Sequence, residues 1–273
     1  MSVFIASVNS GSNGNCYYIG NNTEAVLVDV GISCGEAQKR MERMKLDMDK
    51  VKAIFISHEH IDHIRGVEVM AKRFRLPVYI TPPTLQNSRL KIDPSLVRSF
   101  IPYEPVCIGG LSVTSFPKQH DAADPYSFVI EHDGIKTGVF TDIGYSCEHV
   151  IRNFSQCQAV FLEANYDTKM LEESSYPSYL KKRISGDNGH LSNDQSLELF
   201  VNHRPDFMSH LLLSHLSKNN NSPELVYDLF SKHAGKTFVT VASRYKESPV
   251  YYLKKGSREE PVQVFNGLQM TLF

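Results

Sequence analysis

The sequence has no tryptophan, no C-x-x-C pair, no excess of either charge and no long unbroken apolar run. Each absence removes a class of function. With 29 Lys and Arg against 30 Asp and Glu, the formal net charge is −1. No global basic footprint draws polyanions to the surface, so a polyanionic substrate needs a local patch or bound cations to hold it. No window approaches the ~18 apolar residues of a membrane span, and Met1-Ser2-Val3-Phe4-Ile5-Ala6-Ser7 lacks the basic start and sustained apolar stretch of a secretory leader. The cysteines Cys16, Cys34, Cys107, Cys147 and Cys157 are odd in number and scattered. They read as reduced thiols, not as a disulfide framework or zinc knuckle. A cytoplasmic location without a membrane partner is the expectation. No linker, low-complexity stretch or strong internal repeat divides the chain, and a hydrophobic content of 41% supports a sizeable core. A single domain over residues 1–273 is the simplest account.

What the chain does have is a crowd of metal-ligand side chains. Ser57-His58-Glu59-His60-Ile61-Asp62-His63 directly follows an apolar, β-branched run at 51–56. Three imidazoles and a further carboxylate so close together rarely occur without a metal to neutralise. Strand alternation would point His58 and His60 the same way. A helical segment at 64–74 would open beyond them and turn Asp62 and His63 toward neighbouring space, which implies two adjacent metals. The spacing is not that of a zincin, because the position four after His58 is Asp62.

The same pattern, an apolar strand ending in a polar tip, recurs along the chain. Strands are expected at 3–8 and 16–19, joined by the turn-rich Asn9-to-Asn15 loop, which reads as a hairpin connection ahead of a phosphate cradle. Residues 25–31 carry Asp29, either a strand-end cap or a carboxylate that orients the histidine loop. Ser33 with Glu36, and Ser192 with Gln195, match the capping box that starts a helix. Asp133-Gly134 joins strands at 126–131 and 135–141 in a hairpin. The polar tips, in order, are Asp29, His58 with His60, His120, Asp142, Asn165 and His215. Ligands collect where strands terminate in layered α/β folds, so these tips can converge.

SHEHIDH, with LVDVG before it and KQHDA, TDIG and LLSHLS after it, resembles the metallo-β-lactamase-fold hydrolases. More narrowly, SGSNGNCYYIG, FPKQHDA, LEANYD, YPSYLKKRISGDNGHLSN and LSHLSKNNN resemble the YycJ/WalJ/VicX-type branch, whose members are implicated as exonucleases acting on DNA. The resemblance implies an α/β fold of four layers, an αββα sandwich with two mixed sheets. It puts one metal on His58, His60 and His120 and a second on Asp62, His63 and His215, with Asp142 bridging. Asp62 and His190 form the implied catalytic pair. GHLS around His190 is similar to the stretch of tRNase Z-like phosphodiesterases in which the histidine faces the scissile phosphate, so His190 is expected to bind a phosphoryl oxygen or protonate the leaving group.

Two divalent ions about 3.5–4 Å apart can hold a metal-bridging hydroxide with a pKa near about 7. The N/O ligand set favours zinc, with manganese the alternative. Lys181, Lys182 and Arg183 are candidate phosphate-binding contacts. The implied function is a phosphodiesterase, foremost an exonuclease with DNA ahead of RNA as its substrate. The rival is a thioesterase or lactonase of the glyoxalase II type, which would use the same cluster against an acyl carbon. A non-catalytic metal-binding regulator would not need an open dinuclear centre. The short interval from His120 to Asp142 leaves no room for the long arm of tRNase Z. That from Asp142 to His190 is too short for the β-CASP insertion of RNase J-type nucleases.

Overall fold

Strands that are apolar on both faces must be covered twice, and this chain builds two such sheets back to back. The computed structural model describes residues 2–254. β1 (Ser2–Asn9), β2 (Cys16–Gly20), β3 (Ala25–Val28), β4 (Val51–Phe55), β5 (Val78–Tyr79) and β6 (Val97–Arg98) form the first sheet. β7 (Val106–Ile108), β8 (Leu111–Pro117), β9 (Tyr126–His132), β10 (Ile135–Phe140), β11 (Ala159–Glu163), β12 (His210–Ser214) and β13 (Phe238–Val241) form the second. β14 (Tyr251–Lys254) returns to pair antiparallel with β1, so both sheets have seven strands. Each is mixed in the same way. One flank is antiparallel (β14-β1-β2-β3 and β7-β8-β9-β10) and the other parallel (β3-β4-β5-β6 and β10-β11-β12-β13). The expected strand-like tail contains β13 and β14; its residues 255–273 lie outside the described ones.

Parallel neighbours need crossovers, and helices supply them. The helices are α1 (Cys34–Arg43), α2 (Ile61–Ile64), α3 (Val67–Phe74), α4 (Pro82–Ser88), α5 (Glu148–Phe154), α6 (Thr168–Glu173), α7 (Ser178–Ser185), α8 (Asn193–His203) and α9 (Pro223–Ser231). Side-chain alternation sorts the core into three slabs. Val26, Val28, Ala53 and Phe55 face Ala159, Phe161 and Leu212 between the sheets. Leu27 and Ile54 point outward onto α1 and α3, and Val160, Leu162, Leu211 and Leu213 point outward toward α5, α8 and α9. Burial of each such side chain contributes about 1.5–3 kcal/mol, and a one-residue slip would exchange the two faces. The layers are therefore α, β, β, α, as the resemblance implies. No helix among the described residues is long and apolar enough to cross a membrane.

Several local expectations hold. The Asn9-to-Asn15 loop joins antiparallel β1 and β2. Asp133 and Gly134 take φ of 52° and 77° in the hairpin turn. Ser192 and Gln195 form the reciprocal capping box, and all five cysteines are unpaired. Others need correction. The segment at 64–74 is not one helix: α2 ends at Ile64, and α3 restarts at Val67 after Gly66, which lies against the Ile32 carbonyl. At α1 only half the box forms, because Glu36 turns to Arg40 at 2.8 Å instead of reaching back to Ser33. β4 ends at Phe55, so His58 and His60 do not align by strand alternation. They lie in the following loop, where His60 is the N-terminal cap of α2.

His210 opens β12 fully packed beside Tyr251 and Phe238. Its Nδ1 meets Ser209 Oγ at 2.9 Å, and its buried Nε2 has no hydrogen-bond partner among the described residues. Burial pushes its pKa down to about 4 from 6.5. The native state therefore binds fewer protons than the unfolded chain, and this contribution to stability is present above about pH 6.5 and lost as pH falls toward 4. Urea unfolding of His210→Phe and the parent between pH 7 and 4 should show the parent losing about 3 kcal/mol more than the variant. Parallel loss in both would mean that His210 does not carry this dependence.

Candidate metal centre

Strand ends at one edge of the two sheets hold the centre. Asp29 follows β3, His58 to His63 follow β4, His120 follows β8, Asp142 follows β10, Glu163 ends β11 and His215 follows β12. Asp29, Asp142 and His215 hold φ of 59°, 56° and 57°. Residues with a Cβ take this left-handed conformation at a cost, and here it swings each tip out of its strand. Gly31 permits another close approach: a Cβ there would lie 1.6 Å from the Asp62 carbonyl oxygen, which accepts a 2.7 Å bond from the Asn15 amide.

The first triad is His58, His60 and His120. His58 Nε2 lies 3.1 Å and His120 Nε2 3.3 Å from His60 Nδ1. The far nitrogens of two of these rings are occupied, His58 Nδ1 by Ser57 Oγ at 2.9 Å and His120 Nδ1 by the Gly189 carbonyl at 2.9 Å. Their unbonded lone pairs converge at about the 3.3 Å edge expected of a tetrahedron with metal–nitrogen bonds of about 2.0–2.1 Å. Burial pushes the His120 pKa down to about 3, and burial followed by the nearby His63 pushes His58 down. Both rings are neutral and fit to donate electrons.

The second triad is Asp62, His63 and His215. His63 Nδ1 donates to Asp29 Oδ2 at 2.7 Å, while Asp29 also accepts from the Ser57 amide and hydroxyl at 2.8 Å each. Asp29 thus combines the two roles left open by the sequence: it ties down the loop and orients a histidine. His63 Nε2 and His215 Nε2 are left facing Asp62 Oδ2 at 3.6 and 3.3 Å. Asp142 lies between the triads. Its Oδ1 is 3.8 Å from His120 Nε2 and 3.6 Å from His215 Nε2, and its buried Oδ2, 3.1 Å from His63 Nε2, makes no hydrogen bond among the described residues. Burial opposes charge on His63, yet Asp142, Asp29 and Asp62 raise its pKa well above the ordinary value. Against the same burial, Asp142, Asp62 and Glu163 raise His215 to about 10. Such a buried carboxylate cluster demands positive charge. The residues fit two divalent cations, His58, His60 and His120 for one, Asp62, His63 and His215 for the other, and Asp142 between.

Sequence reasoning does not single out Glu163, although a carboxylate at the end of the apolar run Ala159-Val160-Phe161-Leu162 was the available signal. Fully buried, Glu163 accepts from the Ile143 and Leu191 amides through Oε2, and its Oε1 lies 2.7 Å from His190 Nδ1 and 3.1 Å from His215 Nδ1. His190 stands at the edge of the cluster, with its ring 5.1 Å from that of His120 and 5.3 Å from that of His215. Asn15 is also missed. Its Oδ1 accepts from the Gly11 amide, which fixes the side-chain amide so that Nδ2 faces Asp62 Oδ2 at 3.3 Å and His63 Nε2 at 3.1 Å. Asn165, another strand tip, donates from Nδ2 to the His215 backbone carbonyl at 2.9 Å, with His215 Nδ1 3.2 Å away. Lys118 is buried and donates to the Thr141 carbonyl at 2.6 Å, a fixed cation beneath Asp142. Of the basic residues on α7, Arg183 pairs with Asp121 at 2.5 Å and Lys181 donates to the Glu172 carbonyl at 2.6 Å. Lys182 is exposed.

Residues 24–215 match the family model described as the beta-lactamase superfamily domain. The chain is 31% identical over 230 residues to the exodeoxyribonuclease YycJ of Bacillus anthracis, covering 82% of this chain and 86% of that one. It is 32% identical over 223 residues to the exodeoxyribonuclease WalJ of Streptococcus pneumoniae, covering 80% and 83%. The crystal structure of the metallo-beta-lactamase fold protein YhfI from Bacillus subtilis is similar with a TM-score of 0.69 and 15% identity, over 92% of this chain and 100% of that one. That likeness is one of fold.

With His63 and His215 both protonated near neutral pH, cations must displace their protons, so apparent metal affinity should rise with pH. Calorimetric zinc titration at about pH 7.5, in buffers of different ionisation enthalpy, should report release of about two protons, and His215→Asn about one. No difference between the two proteins would remove His215 from the donor set.

Proposed function

The chain belongs to the β-lactamase superfamily, in the group of the YycJ and WalJ proteins, and is a metal-dependent hydrolase; from this premise we propose that it is a dinuclear phosphodiesterase, most specifically a DNA exonuclease. The observation that carries the reading is the convergence of His58, His60, Asp62, His63, His120, Asp142 and His215 beside the Glu163–His190 pair. The exodeoxyribonuclease activity named for two relatives supports DNA as the substrate.

When bound, a divalent pair supplies Lewis acidity that polarises a phosphoryl oxygen and acidifies water toward a pKa of about 7. The protein does the rest by position. Asp29, Ser57 and the Gly189 carbonyl occupy the outer nitrogens of His63, His58 and His120 and aim their inner lone pairs. Asp142 spreads its charge over both triads. Glu163 accepts the Nδ1 proton of His190 at 2.7 Å, which sets the ring so that its Nε2 can deliver a proton to the leaving oxygen. His215, of the second triad, is held by the same Glu163 oxygen, so proton donor and second triad keep a fixed separation. Lys182 is the open basic residue on α7 for a backbone phosphate.

After chelation and reloading with zinc or manganese, the protein should hydrolyse bis-p-nitrophenyl phosphate and labelled duplex DNA and leave S-lactoylglutathione intact; the opposite preference would replace phosphodiester by thioester chemistry. His190→Ala should retain two metals per chain by elemental analysis while kcat drops by about 10²–10⁴. Loss of metal in that variant would make His190 a ligand instead. Glu163→Gln should lower activity by about 10–100-fold.

A further inference from the structure

The basic residues on α7 are largely engaged, but on the other side of the centre a guanidinium has no ion-pair partner among the described residues. Arg244 lies beyond β13 against the Asn9-to-Asn15 loop. Ser10 N donates to the Ser243 carbonyl at 3.2 Å and Asn13 Nδ2 to the Arg244 carbonyl at 3.1 Å, which fastens loop to segment. Gly11, with φ of 142°, lets the guanidinium lie flat on the loop: a Cβ there would stand 2.9 Å from Arg244 Nη2 and 3.3 Å from Nε. Nη2 is buried without a hydrogen bond, and no carboxylate pairs with Arg244 among the described residues. Burial lowers its pKa, and the groups that oppose this are only the phenols of Tyr245 and Tyr176. A half-buried cation without a counter-charge is costly to keep.

A second guanidinium flanks the same loop. Arg65, exposed at the end of α2, donates from Nη1 to the Asn13 carbonyl at 3.2 Å. Between the two, Ser12 and Asn13 are exposed, and their backbone N–H groups make no hydrogen bond among the described residues. The loop's other face touches the second triad: Ser10 Oγ accepts from the His215 amide at 2.8 Å, and Asn15 Nδ2 lies 3.3 Å from Asp62 Oδ2. Tyr245, 74% exposed, adjoins Arg244 and offers a face for a base to stack on.

We propose that Arg244, Arg65 and the Ser12–Asn13 turn between them form an anion subsite for a non-scissile phosphate of the polynucleotide, on the second-triad side of the centre. The proposal rests on the phosphodiesterase reading for its ligand. Two donors with positive charge and two open amides match the oxygens of a phosphodiester. One loop then serves two ends: Ser10 and Asn15 steady the metal donors while Ser12 and Asn13 register the strand that is being cut.

The full chain, freed of metal with chelator, is titrated with a labelled single-stranded oligodeoxynucleotide across a range of salt, with an oligoribonucleotide as a parallel arm. Arg244→Met should weaken binding about tenfold at low salt and flatten the log–log salt dependence by about 0.7, the share of one phosphate contact on a single strand. Arg244→Lys should keep most of the slope. In reloaded enzyme, Arg244→Met should lower kcat/KM on the oligonucleotide about tenfold more than on bis-p-nitrophenyl phosphate, which has no neighbouring phosphate. Affinity and slope equal to the parent's overturn the subsite even if the enzyme cuts DNA. A parent that hydrolyses neither substrate defeats the phosphodiesterase reading instead, and the chelated titration still decides the subsite. Should Arg244→Met melt markedly lower, Arg65→Met takes its place, being exposed, and an unchanged slope there is equally fatal.

Discussion

The buried carboxylates at the joint edge of the two sheets are the constraint on which everything else depends. Asp29, Asp142 and Glu163 are fully buried and Asp62 is half-buried, each within 3.3 Å of an imidazole nitrogen. Such negative charge is not tolerated away from water without compensation. The fold supplies part of it through Lys118 and through protons on His63 and His215, and the donor geometry is suited to cations for the remainder. The left-handed tips at Asp29, Asp142 and His215, the close approach at Gly31 and the buried amide of Asn15 follow from the need to bring these groups together without letting them slip. Layer packing sets the stage; electrostatics at the strand ends sets the backbone.

Much of this was legible in the sequence, for reasons that are local. The His58-to-His63 cluster is contiguous, so its meaning does not wait on tertiary structure. His120, Asp142 and His215 each end an apolar run and share that signature. The Asp133-Gly134 turn and the Ser192–Gln195 box use chemistry that acts within four residues. The misreadings have equally specific causes. Apolar periodicity runs through Gly66, but the Gly66 amide donates to the Val30 carbonyl and the Asp62 carbonyl accepts from the Asn15 amide, so the helical bond between them is not made. Glu36 fits a capping box until Arg40, one turn on, offers a stronger partner. Glu163 and Asn15 escape notice because their partners His190, His215 and Asp62 are distant in sequence: the apolar run before Glu163 marks a strand end but not what the acid meets there, and nothing near Asn15 marks its amide.

Function follows from division of labour among the strand tips. His58 and His120 of the first triad keep unprotonated lone pairs because burial suppresses their charge, whereas His63 and His215 of the second attract protons because carboxylates surround them. Two neighbouring positions with different electrostatics are the consequence, joined by one aspartate. Glu163 then couples the second triad to His190, because a single carboxylate oxygen meets both His215 Nδ1 and His190 Nδ1.

The two sheets, alike in their arrangement of antiparallel and parallel flanks, contribute unequal and consecutive shares of the donors. A chain leaving the ribosome offers His58, His60, Asp62 and His63 well before His120 and Asp142 are made, and His215 later still. The early share, on the first sheet, holds no complete triad. The donor groups therefore close only when the second sheet has been synthesised and has docked on the first, because each of them takes at least one side chain from His120, Asp142 or His215.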